Sequence, residues 1–294
     1  MDIAFYIGAS CTDDEMLFGI LRRQAETLAE GGICVPDPSS YRKLIRDALV
    51  SVQRGAALPE AGEIILDAIT HGDHPRRLVL GNPNFLAIPS RIFAEGAFYG
   101  QAALKIAALA KLFPDNQISL YMGIRSGVGH LNEAFRRSDT QSLSQFMNSV
   151  HPLDISWFDL VQRIRRAAPQ MELTVWCNED VPVISPHILM SLADEWQNTF
   201  FARSLIPLSD LLDTEGVAAA QAVLLEENSP SIAKDEQIRL AALETFGKYG
   251  ALTDTITLPE VSPKIINEMQ DIYEEDCAAI AALEDVTFLR PLTA

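Results

Sequence analysis

Long apolar runs are missing from this chain. None reaches the ~18–20 residues that cross a bilayer, so no membrane partner is expected. The opening Met1-Asp2-Ile3 lacks the basic start and extended apolar core of a signal peptide. Positive charge is scarce: 23 Lys and Arg face 40 Asp and Glu, a net charge of −17 at pH 7. Nucleic-acid binding needs clustered cations to neutralise phosphates, so no nucleic-acid partner is expected either. The acidity is spread along the chain and reads as a solvated surface. The 4 cysteines, Cys11, Cys34, Cys177 and Cys277, show no C-x-x-C spacing. That spacing argues against a disulfide framework or zinc site and fits reduced thiols in a cytoplasm. No G-x-S-x-G elbow occurs, and His71-Gly72-Asp73-His74 is a lone loop pair, so no metal is expected.

What is present is an ordinary globular composition, 48% apolar and 21% charged over 294 residues. Short apolar runs alternate with helical patterns. Strands are expected at Ile3–Ile7, Leu78–Leu80, Ile118–Ile124, Leu173–Cys177 and Val286–Leu289. Leu17, Leu21, Ala25 and Leu28 share one helix face that stops at Gly31-Gly32. Further helices are expected over Gln101–Phe113 and Ser156–Ala168, and from Ser262-Pro263 onward. Continuous apolar strands separated by helices predict an α/β fold with a doubly wound, mostly parallel sheet. Residues of about 195–260 carry little strand signal and read as a helical lobe, with helices near 209–226 and 234–249.

In such a sheet the turn after the first strand is the usual phosphate cradle. Here it reads Gly8-Ala9-Ser10-Cys11-Thr12-Asp13-Asp14-Glu15, with no G-K-[ST] and no lysine. The order strand, I-G-A, short loop, helix resembles the phosphosulfate loop of bacterial sulfotransferases, h-I-G-x-x-K-T-G-T-T. Ile7, Gly8 and Thr12 match, whereas Lys falls on Cys11, Gly on Asp13 and the two hydroxyl residues on Asp14 and Glu15. Two more stretches extend the resemblance. Ile124-Arg125-Ser126-Gly127-Val128-Gly129-His130 through Phe135 fits the family's h-R-[DN]-P-x-x-R-x-x-S-x-[YF], keeping Arg125 and Phe135 but placing His130 and Glu133 on the second Arg and the Ser. Leu80-Gly81-Asn82-Pro83-Asn84-Phe85 keeps Asn84 and Phe85 of a run such as V-L-S-x-E-N-F, with Pro83, which cannot accept a proton, where the family's candidate general-base Glu stands. The Glu179-Asp180 pair and the Tyr273-Glu274-Glu275-Asp276 helix are looser matches.

The resemblance implies one sulfotransferase-like α/β domain of the P-loop type over 1–294. It implies a site for the sulfate donor 3′-phosphoadenosine 5′-phosphosulfate (PAPS) on Gly8, Ala9, Ser10, Cys11, Thr12 and Arg125, with His130 as the nearest acid or base. The substitutions oppose that ligand. Thr12-x-x-Glu15 has the form of a capping box, and a phosphate would meet Asp13, Asp14 and Glu15. Each like-charge pair at ~4 Å costs about 4 kcal/mol at an effective dielectric near 20. Arg125 has two roles open: bidentate pairing with an anion, or an ion pair with Glu133 or the Asp13–Glu15 cluster. Two functions follow. One is a binding or regulatory relative without PAPS, serving a small-molecule or protein partner; the other is a working sulfotransferase that uses PAPS and releases the desulfated product, PAP.

Overall fold

The computed structural model describes residues 1–194, 199–226, 231–248, 258 and 260–292. Strand β1 (Asp2–Gly8) is buried from Ile3 onward because both sheet faces are covered. Ile3, Phe5 and Ile7 point into one apolar cluster and Ala4 and Tyr6 into the other, the two-residue alternation of a strand. Around β1 stand β2 (Ile33–Cys34), β3 (Arg77–Gly81), β4 (Gln117–Ile124), β5 (Glu172–Cys177) and β6 (Thr287–Leu289). All pairings are parallel, in the order β2-β3-β1-β4-β5-β6. Ile3 registers with Leu78 on one side and Ile118 on the other.

The helices cover both faces. Helices α1 (Met16–Arg23) and α2 (Ala25–Glu30) pack Leu17, Phe18, Leu21 and Leu28 on the Tyr6 side. On the Phe5 side lie α3 (Pro38–Gln53), α4 (Ala61–Thr70), α5 (Ala102–Leu112), α6 (Gly127–Arg136), the short α7 (Leu143–Phe146) and α8 (Trp157–Ala167). Local signals set their starts: Asp37 accepts the Ser39 amide at 2.9 Å ahead of Pro38, and Ser156 accepts the Asp159 amide at 3.1 Å. After β5 the chain returns to the Tyr6 side as α9 (Val181–Ala193), α10 (Thr199–Arg203), α11 (Thr214–Glu226) and α12 (Ile232–Phe246). Helix α13 (Pro263–Ala281) then crosses back to pack Met269, Tyr273 and Ile280 on the Phe5 side. Connections therefore leave β1 on one face and β3 and β4 on the other, making the carboxyl end of β1 a topological switch point.

The α/β class and parallel sheet match the expectation. The expected lobe helices form as α11 and α12, with Phe201, Leu208, Leu212 and Leu224 buried in one cluster with α9 residues. Trp196 and residues 249–257 lie outside the described residues. Helix α9 forms over a stretch for which the sequence pattern predicts no element, and His187 sits within it. The helix expected from Leu17 to Leu28 is broken at Gln24 into α1 and α2. Among the described residues no helix is long and apolar enough to cross a membrane.

Candidate functional site

The β1–α1 loop is closed by Pro83, Tyr99 and His130 packed against it and by its own Asp13. Gly8 has φ +114°, and a Cβ there would stand 2.4 Å from the Pro83 carbonyl oxygen, so the segment after β3 lies directly on it. Ser10 is 1% exposed, and its hydroxyl is 2.8 Å from that of Tyr99. The Tyr99 hydroxyl in turn stands 3.3 Å from Nε2 of His130, which is fully buried. Burial pushes the His130 pKa down to about 3, with the Arg125 charge adding to the shift, so the ring is held neutral. Cys11 is buried beside them, and its thiol is pushed up to about 11, chiefly by burial.

No Thr12–Glu15 capping box forms. Glu15 is left-handed, with φ 69°, and α1 begins after it. Thr12 instead donates its hydroxyl to the Ala9 carbonyl at 2.8 Å. The cap is Asp13: Oδ2 accepts the Leu17 amide at 2.9 Å and Oδ1 accepts the Tyr6 hydroxyl. Burial raises the Asp13 pKa against the opposing pull of those bonds. The remaining acids are also engaged. Arg137 holds Asp14 through two contacts of 2.6 Å and takes Glu133 at 2.7 Å. Arg42 grips Glu15 at 2.8 and 3.0 Å and donates to the Gly81 carbonyl at 2.9 Å.

Arg125, at the end of β4, therefore forms neither expected ion pair. Nη1 donates to the Cys11 carbonyl at 3.2 Å, while the Arg125 carbonyl accepts the Trp157 indole N–H at 2.7 Å. Among the described residues no carboxylate pairs with Arg125. Glu179, after β5, spans two elements by accepting the Ser126 amide at 2.8 Å and the Tyr273 hydroxyl at 2.9 Å. Sequence spacing gave no hint of one meeting: the thiols of Cys177 and Cys277 stand 3.5 Å apart.

The open space lies beside the loop. A cleft of about 1020 Å³ runs along α3, the 82–101 segment and the start of α5, at the carboxyl end of β1 and β3. Its volume is that of a small-molecule site. Tyr99 and Glu15 line it and connect it to the β1–α1 loop, and Phe85 packs against Phe5 at a tilt of 59° with ring centroids 4.9 Å apart. Arg42, Arg46, Arg91 and Lys105 also line it, an accumulation of cations in an acidic chain. Of the residues expected at the donor site, the fold brings Gly8–Thr12, Arg125 and His130 together, but none of them lines this cleft. The one earlier signal for it was the retained Asn84-Phe85 pair. No protein-family model, curated protein or solved structure matches the chain.

Proposed function

We propose that this chain is a small-molecule binding protein on a sulfotransferase-like α/β scaffold, with its ligand in the α3–α5 cleft and not on the β1–α1 loop. One observation carries the reading. The loop that would hold the PAPS phosphosulfate is packed shut by Tyr99, His130 and Pro83 and capped by Asp13, while a ligand-sized cleft opens beside it. Both lie at the switch point where open parallel sheets bind ligands. A phosphate reaching the loop would have to displace the Asp13 cap and approach Asp14 and Glu15.

The sulfotransferase reading keeps one support: Arg125, which matches the family's 3′-phosphate arginine in the sequence pattern, pairs with no carboxylate among the described residues. Thermal unfolding with PAP separates the two. The binding-protein reading predicts no rise in Tm at millimolar PAP, with or without Mg²⁺. A ligand at 100 times its Kd adds about 2.7 kcal/mol of stability, so a working donor site would be plain. A PAP-dependent rise that Arg125→Ala abolishes would establish the sulfotransferase reading instead.

A further inference from the structure

The two walls of the cleft differ in chemistry. One is apolar: Leu49 and Val50 of α3 face it together with Phe85 and Ile88. Val50 is 39% exposed and Ile88 47%, so both offer apolar surface to a ligand in the cleft. The other wall is cationic. Lys105 is half-buried, and its Nζ donates to the Phe85 and Leu86 carbonyls, each at 2.9 Å. An ammonium has three donors, so one N–H remains for a ligand. Burial lowers the Lys105 pKa, and the charge of Arg91 lowers it further. Among the described residues neither Lys105 nor Arg91 has a carboxylate partner.

Two of the three acids of the cleft are already paired with other cations, Glu15 with Arg42 and Asp37 with Arg22. The third, Glu95, accepts the Gln101 side-chain amide at 2.8 Å and, among the described residues, forms no ion pair with Lys105 or Arg91. Gln101 is turned to Glu95, and among the described residues no side-chain hydrogen bond caps α5, whose start borders the cleft at Gly100, Gln101 and Lys105 and adds the positive end of a helix dipole. Six cations, Arg22, Arg42, Lys43, Arg46, Arg91 and Lys105, line the cleft against three acids, and the half-buried Lys105 ammonium has no carboxylate beside it, so an anion from outside is the complementary charge.

We infer that the cleft takes a molecule with one anionic head, a carboxylate or a phosphate, and an apolar body. Lys105, Arg91 and the start of α5 hold the head, and Leu49, Val50, Phe85 and Ile88 cover the body. This rests on the cleft being the binding site, and it names the ligand class. Calorimetric titration of the full chain tests it with octanoate, octyl phosphate, octyltrimethylammonium and inorganic phosphate, the organic probes below their micelle concentrations. Octanoate or octyl phosphate binds, and which of them binds tighter identifies the head. The cation and bare phosphate bind at least about tenfold more weakly. Arg91→Glu, at an exposed position, and Lys105→Met each lower the affinity of the anionic probe about tenfold, the scale of one charge-assisted hydrogen bond. Equal binding of cation and anion, or unchanged affinity in a folded Arg91→Glu variant, overturns the anionic class while leaving the cleft as the site. Absence of binding by both anionic probes also overturns the inference. The cleft reading itself falls on a different result, PAP binding that depends on Arg125.

Discussion

Replacing Asp13 with Ala strikes the contact that closes the β1–α1 loop. The buried carboxylate serves two donors, the Leu17 amide and the Tyr6 hydroxyl. Alanine leaves the Leu17 amide buried without a partner and the Tyr6 hydroxyl with only the long 3.4 Å contact to the Thr12 hydroxyl, at about 1–3 kcal/mol for each group left unmade. Part of that loss is offset because burying the carboxylate is itself unfavourable, as its raised pKa records. The net loss is roughly 2–4 kcal/mol, which at about 2 °C per kcal/mol for a chain of this size lowers Tm by ~4–8 °C. Asp13→Asn keeps an acceptor of the same shape and loses less than half as much. The pH dependence has a definite sign. A carboxyl group whose folded pKa is raised contributes stability that is full below its ordinary value near ~4 and is lost as pH rises through the folded value. The gap between wild type and Asp13→Asn therefore narrows, or reverses, as pH rises from about 4. Melting curves by circular dichroism at several pH values read both effects. A Tm for Asp13→Ala within about 1 °C of wild type would refute the claim that Asp13 caps α1.

Three further outcomes follow from single positions. Gly8→Ala places a Cβ 2.4 Å from the Pro83 carbonyl at a φ of +114°, so it lowers Tm by at least about 5 °C or prevents folding, whereas Gly55→Ala, in open space, is far milder. His130, with a pKa near 3, stays neutral from pH 8 to pH 5. Its imidazole resonances show no titration there, and since the folded pKa is lowered, its contribution to stability falls as pH drops below about 6.5, where the unfolded state takes up the proton. Mild oxidation by diamide or an organic disulfide joins Cys177 to Cys277 by removing one hydrogen from each thiol, and mass spectrometry finds their linked peptides in preference to any containing buried Cys11.

Much of the fold is legible in the residues because its central strands are buried on both faces. Ile3–Ile7, Ile118–Ile124 and Leu173–Val175 are continuous apolar runs that signal a covered parallel sheet. Helix α9 escaped because Val181–Ala193 is buried nearly all round and holds Pro182 and Pro186, so it shows no 3.6-residue stripe. The capping box failed for a local reason. Asp14 and Glu15 both take left-handed backbone, which moves the helix start to Met16 and passes the cap to Asp13. Pairings across the chain were invisible to spacing alone: Arg137 with Asp14, Arg42 with Glu15 and Cys177 with Cys277 join residues that only the sheet order brings together. The cleft was hidden for the same reason. Lys105 reads in sequence as an ordinary residue of an Ala/Leu-rich helix, and its charge becomes notable only once Arg91 and the Phe85 carbonyl stand around it.

On the proposed function, ligand binding belongs to the α3–α5 cleft and not to the β1–α1 loop. Amide chemical-shift mapping on the 32.3 kDa chain tests it directly, with octyl phosphate and PAP titrated in turn. Octyl phosphate is expected to move the amides of Leu49, Val50, Phe85, Ile88 and Lys105, and PAP to move none in the loop. Shifts concentrated on Gly8–Thr12 and Arg125 with PAP, and a silent cleft, would contradict it.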